Sequence, residues 1–178
     1  LSSSGARVAI ASIAYANYTG LVAIFQLIND NKTWLQMGTN ITGEAPGDMF
    51  GHGVSLSGDG RRVAVGASEN AANGVPFAGH VCVYQWNTTS ATWDQLGSSI
   101  SGTSMQEYFG DDVSLSYDGS RVAVGASGGD TAGMYTNSGH VRVYSWSGTI
   151  WMQLGNDITG SGNEELSGMS VSLSSDGS

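Results

Sequence analysis

Apolar positions alternate with small or polar ones in short runs along this chain. Residues 113–116 form one such run. Arg121–Ala126 (RVAVGA) puts Val122 and Val124 on one side, and His140–Trp146 (HVRVYSW) alternates Val141 and Val143 with Arg142 and Tyr144. Residues 150–154 (IWMQL) make a fourth run. A period of two predicts strands, since successive side chains point to opposite faces. Between the runs stand Tyr117-Asp118-Gly119-Ser120 and Ser147-Gly148-Thr149. Asp-Gly between strands is a strong hairpin signal, with both central positions expected at positive φ. Residues 127–139 and 155–167 are polar and predict a loop and a connector. One unit therefore reads as four short antiparallel strands joined by hairpins.

The unit recurs. Phe109-Gly110 through Trp151 is matched by Phe50-Gly51 through Trp93, and a diverged copy opens the chain; a fourth begins at Gly168-Met169-Ser170-Val171. Leu1, Leu56, Leu115 and Leu173 hold one place at spacings of 55, 59 and 58 residues. The repeats are 1–55, 56–114 and 115–172, with the next starting at 173–178. A fixed period of this size marks a repeat architecture. Each sheet carries apolar residues on both faces, so it must lean on its neighbours. The predicted class is all-β: β-propeller blades, three four-stranded antiparallel repeats plus the first strand of a fourth. A solenoid would need shorter, more uniform coils, and a sandwich would not repeat so faithfully. The recurrent rings Trp34, Trp93 and Trp151, Phe25, Tyr84 and Tyr144, and Trp86 and Trp146 are expected in the core between sheets. Closed propellers have roughly four to eight blades. Three would leave two sheet faces bare, so the arc is expected to be part of a larger propeller, within a longer polypeptide or by assembly of copies.

Composition narrows the partners. Charged residues are 12% of the 178 and the formal net charge is −9, with only six Lys and Arg. That balance excludes nucleic acid as a natural partner. No apolar run is long enough for a membrane-spanning helix, so no membrane insertion is expected. Cys82 is the single cysteine, expected as a packed thiol because it aligns with Ala23 and Arg142. Four Asn-x-Ser/Thr sequons, at Asn17, Asn31, Asn40 and Asn87, predict N-linked glycans and an extracellular or cell-surface location through the secretory pathway.

Phe50-Gly51 and Phe109-Gly110, followed by Gly66-Ala67-Ser68 and Gly125-Ala126-Ser127, resemble the FG-GAP repeat of integrin α-subunit propellers, with serine where that family usually has proline. The resemblance implies a propeller with a role in cell adhesion. It also implies calcium loops between strands one and two, but the turns at Asp59-Gly60, Asp118-Gly119 and Asp176-Gly177 offer one carboxylate each, and Ser3-Ser4-Gly5 offers none. Calcium needs six or more oxygens, roughly, so these turns are expected to be structural, with no metal and no cofactor. The Phe-Gly pair is lost at Ser167-Gly168, where the edge is expected to pack differently.

In the integrin-like arrangement the within-unit loops (12–20, 68–79, 127–139) share one face with the connectors between units. That face carries Glu44, Asp48, Glu107, Asp130, Glu164 and Glu165 and is the candidate interaction face. His80 and His140 occupy a place that accepts Leu21, so they read as structural, and His52 stands alone. The Asp111-Asp112 pair points to opposite faces of a strand. No nucleophile elbow, metalloprotease motif or phosphate loop is present. The expectation is therefore a protein that is not an enzyme: a non-catalytic extracellular structural or adhesive glycoprotein, its blades serving as contact surfaces in a filament or coat. Its partners would be other proteins or copies of itself. Two alternatives stand beside it: a recognition module binding protein or carbohydrate on the variable-loop face, and a propeller hydrolase.

Overall fold

The computed structural model describes residues 1–28, 32–130 and 136–177. Among the described residues the chain is all-β, in three antiparallel sheets met in chain order. The first contains β1 (Arg7–Ser12), β2 (Leu21–Ile28) and β3 (Thr33–Gln36), with β4 (Ile41–Thr42) also paired to β2. The second runs β5 (Phe50–Leu56), β6 (Arg62–Ala67), β7 (His80–Asn87) and β8 (Thr92–Gln95), with β9 (Ile100–Ser101) paired to β7. The third runs β10 (Phe109–Leu115), β11 (Arg121–Ala126), β12 (His140–Trp146) and β13 (Trp151–Thr159). The hairpin registers of the second and third sheets superpose: Leu56 faces Val63 as Leu115 faces Val122, and Phe50 faces Ala67 as Phe109 faces Ala126.

The sheets stack face to face. Val22, Ile24, Met37 and Ile41 from the first meet Phe50, Val63 and Val65 from the second. Val81, Val83 and Ile100 from the second meet Phe109, Val122 and Val124 from the third. Alternation along each strand sends one set of side chains forward and the other back, so the middle sheet is dry on both faces. Phe50 packs edge-on to Tyr84, and Phe109 edge-on to Tyr144. The Trp93 and Trp151 indoles donate to the Met37 and Leu96 carbonyls, each in the preceding sheet, at 3.0 and 2.9 Å. Cys82 is a buried free thiol in the first of these cores.

The two end faces are largely exposed, although residues 168–177 lie against part of the third sheet. Ile41 and Ile100 are 9% and 8% exposed, whereas their counterpart Ile158 is 63% exposed. On the opposite end Ile10 is 50% exposed, against 0% for its counterparts Val65 and Val124.

Four expectations need correction. The first strand of a fourth unit is not formed, since residues 168–177 hold no strand. The fourth strand does not end at residue 154: β13 continues to Thr159, and β4 and β9 are the matching extensions in the other sheets. The spacing Gly-x-x-Ile at Gly38–Ile41, Gly97–Ile100 and Gly155–Ile158 encodes it, because the isoleucine joins the face that the next sheet covers. In the Asp-Gly turns only the glycines (Gly60, Gly119 and Gly177) have positive φ; Asp59 and Asp118 instead accept the hydroxyls of Ser57 and Ser116. Finally, Gly168 keeps the backbone of the lost Phe-Gly pair: its φ of 96° matches 99° at Gly51 and 101° at Gly110.

These glycines set the spacing between sheets. A methyl group on Gly66 would lie 2.0 Å from the Gly110 carbonyl oxygen, and one on Gly125 would lie 1.9 Å from that of Gly168. Backbone oxygen cannot retreat as a flexible side chain can. Gly66→Ala is expected to cost about 1–3 kcal/mol, read as a lowered denaturant midpoint, while the same change at Gly74, with nothing within 4 Å of the added methyl but a φ of 79°, reports backbone strain alone.

Candidate functional site

The connectors between sheets place one carboxylate at a fixed point. Glu107, 1% exposed, accepts the Thr103 and Ser104 amides on Oε2 at 2.6 and 2.7 Å. Its Oε1 meets Arg142 Nη1 at 2.7 Å and lies 3.1 Å from His140 Nε2. Arg142 also binds Asp157 at 2.9 Å and lies over the Phe109 ring. Burial opposes the Glu107 charge, but His140, the two amides and the Arg142 cation together outweigh it and hold the carboxyl at about 2.

Asp48 repeats this role in the preceding connector: it is buried and accepts the Ala45 amide at 2.8 Å. The nearby His80 imidazole is pushed down by burial, against the raising influence of Glu44 and Asp48. Glu165 takes the Ser161 amide at 2.6 Å but is exposed. Asp48 and Glu107 therefore do not belong to an exposed interaction face: both are buried, Asp48 bracing its own connector and Glu107 joining its connector to Arg142 of the third sheet. Glu44, Asp130, Glu164 and Glu165 are exposed. Among the sequons, Asn17 is exposed in a left-handed turn (φ 58°) and Asn40 is exposed, while Asn87 donates its amide to Asp94 at 2.8 Å. Asn31 and residues 131–135 of the 127–139 loop lie outside the described residues.

Sequence reasoning missed one cluster. His52 does not stand alone: its Nδ1 is 3.0 Å from the Asp111 carbonyl oxygen and 3.6 Å from Asp111 Oδ1. The Ser127 hydroxyl donates to Asp111 Oδ2. The partners come from β5, β10 and the end of β11, so only sheet stacking joins them. The hydroxyl addresses the carboxylate, not the imidazole, so this is no activated serine. It is a half-exposed imidazole beside a carboxylate, a pair suited to taking a proton from water. Asp112 faces elsewhere and accepts the Val171 amide at 2.9 Å. Among the described residues no group of three or more His, Cys, Asp or Glu is arranged to hold a metal ion.

No protein-family model matches the chain, and no curated protein matches its sequence. Solved structures do. The chain is similar to a "putative 6-phosphogluconolactonase" of Bacteroides fragilis, with a TM-score of 0.51 and 13% identity over 80% of this chain and 34% of that one. A second, from Bacteroides uniformis, gives a TM-score of 0.50 and 16% identity over 82% of this chain and 41% of that one. The chain thus spans about a third to two fifths of their length, and at these identities the likeness carries the fold. It overturns the expectation that the protein is not an enzyme: the same stack of sheets serves proteins named for an enzyme activity, so missing sequence motifs exclude nothing.

Because the Glu107 carboxyl sits below its ordinary value of 4.5, its stabilising contribution is complete above that pH and is lost as pH falls toward 2. Glu107→Gln is expected to lower stability at pH 7 by about 3 kcal/mol and to flatten the acid limb of the stability–pH curve, both read by urea unfolding at a series of pH values.

Proposed function

We propose that these three sheets are consecutive blades of a β-propeller of the FG-GAP type, completed by further units of the same kind. The observation that carries this is the pair of largely exposed end faces. The face with Leu154 and Ile158 repeats in sequence the two faces that are covered inside the chain, and the face with Ile10 and Trp34 repeats the two that do the covering. An apolar surface of this kind is costly in water and marks an interface. On this reading the blades are a scaffold for an extracellular glycoprotein that contacts protein or carbohydrate through its loop rim. The exposed Asn17 and Asn40 support it, as does the variation of the loops between repeats that otherwise agree.

A second reading, hydrolysis, is favoured by the likeness to the two Bacteroides proteins and by the His52–Asp111 pair. In a lactonase, such a pair would draw a proton from water as the water attacks the ring carbonyl.

If the blades complete one another, the chain in solution associates as concentration rises, and Ile158→Lys with Leu154→Lys holds it monomeric, as read by light scattering; a wild-type chain monomeric throughout speaks against assembly from copies. In the hydrolytic reading, the chain opens 6-phosphogluconolactone, and His52→Ala or Asp111→Asn lowers kcat about 100-fold or more; no turnover above the buffer rate rejects it.

A further inference from the structure

The six Lys and Arg of this chain are not spread evenly. Arg7, Arg61 and Arg62 line one groove of about 460 Å³ along the turn rim of the second sheet, reaching Arg7 of the first sheet on one side and Asp118 of the third on the other. That volume suits a small ligand. Two of the three cations have a structural duty. Arg7 Nη1 donates to the Gly60 carbonyl at 2.9 Å, and Arg62 Nη1 donates to that of Gly119 at 3.0 Å. Arg121 repeats the same clamp onto Gly177 at 2.8 Å.

Arg61 has no such duty. Its counterparts in the other two repeats are Ala6 and Ser120, so the fold does not require a cation there. It is exposed, and among the described residues its side chain forms no ion pair or hydrogen bond. The rest of the groove is mixed in character: the Trp86 ring, the Gln85 amide, and the carboxylates of Asp59 and Asp118. Each of those carboxylates spends Oδ1 on its own turn.

We infer that this groove binds a sugar-sized polyol carrying one anionic group, a carboxylate or a phosphate. Arg61, with the spare N–H groups of Arg7 and Arg62, holds the anion. The second carboxylate oxygens of Asp59 and Asp118 accept from hydroxyls, and the Trp86 ring offers an apolar face to the sugar ring. An anion alone would be repelled by the two aspartates, and a neutral sugar would leave the Arg61 charge unused. The equivalent positions on the rim of the third sheet keep the tryptophan, Trp146, but have Ser120 in place of Arg61. The inference does not depend on the propeller or the hydrolytic reading.

Calorimetry and tryptophan fluorescence on the whole chain test it, with glucuronate, glucose 6-phosphate, glucose and inorganic phosphate as probes. Saturable binding of either acidic sugar is expected, about tenfold or more tighter than glucose or inorganic phosphate, and weakened about tenfold or more by Arg61→Ala. The tighter of the two acidic sugars names the anionic group. Arg61→Ala should melt with the wild type, so lost binding is not lost fold. Three results would each overturn the inference: neither acidic sugar binds, glucose or inorganic phosphate binds as tightly, or Arg61→Ala binds as well as the wild type.

Discussion

The stack of sheets follows from the need to keep both faces of each sheet dry. Strand alternation gives each sheet two apolar faces, and one sheet has no second layer of its own to cover them. The middle sheet satisfies both faces by sitting between its neighbours, with Val63, Val65, Val81 and Val83 all 2% exposed or less. The end sheets satisfy one face each. The gradient in exposure from Ile41 and Ile100 to Ile158 is the same side-chain position with and without a neighbour.

Burial alone does not fix how one sheet sits on the next. Direction comes from polar bonds that cross the junction. The clamps from Arg7, Arg62 and Arg121 to glycine carbonyls hold the turn rim. Indole donors from Trp93 and Trp151 hold the outer strand. Near the inner strand, Ser55 and Ser114 accept the amides of Leu115 and Leu173, 3.0 and 2.9 Å away. Each satisfies a backbone group that would otherwise be buried unpaired. Glycine supplies the close approach, since Gly66 meets the Gly110 backbone where a side chain would hold the sheets apart.

The repeat made the sheets, their order and their apolar faces legible, because a period of two within a period near 58 residues is a strong pattern. The bounds of β6, β7, β11 and β12 follow from that alternation. The Gly-x-x-Ile extension was written just as regularly, but four residues of polar sequence hide a strand whose only apolar member is its isoleucine. The site was less legible. Asp48 and Glu107 look like surface carboxylates in a polar connector, yet both are buried, and Glu107 is held by Arg142, 35 residues further on in the next sheet. His52 and Asp111 are 59 residues apart and meet only because adjacent sheets bring equivalent strands side by side. Pairings made by stacking leave no local signal.

A repeat also separates duty from opportunity. Where three copies agree, the residue is explained by packing, as with the arginine clamps, the turn serines and the isoleucines of the covered faces. Where they disagree, the fold has no preference, and another cause is required. The position of Cys82, Ala23 and Arg142 shows the first kind of disagreement. Arg142 answers the Glu107 carboxylate, whereas Cys82 makes its own contact, with Sγ 3.1 Å from Ser99 Oγ. That difference is settled inside the protein. Arg61 is the second kind: its counterparts in the other copies are an alanine and a serine, and among the described residues nothing answers its side chain. An unpaired guanidinium beside a tryptophan and two half-used carboxylates is what remains once everything the stacking needs has been subtracted.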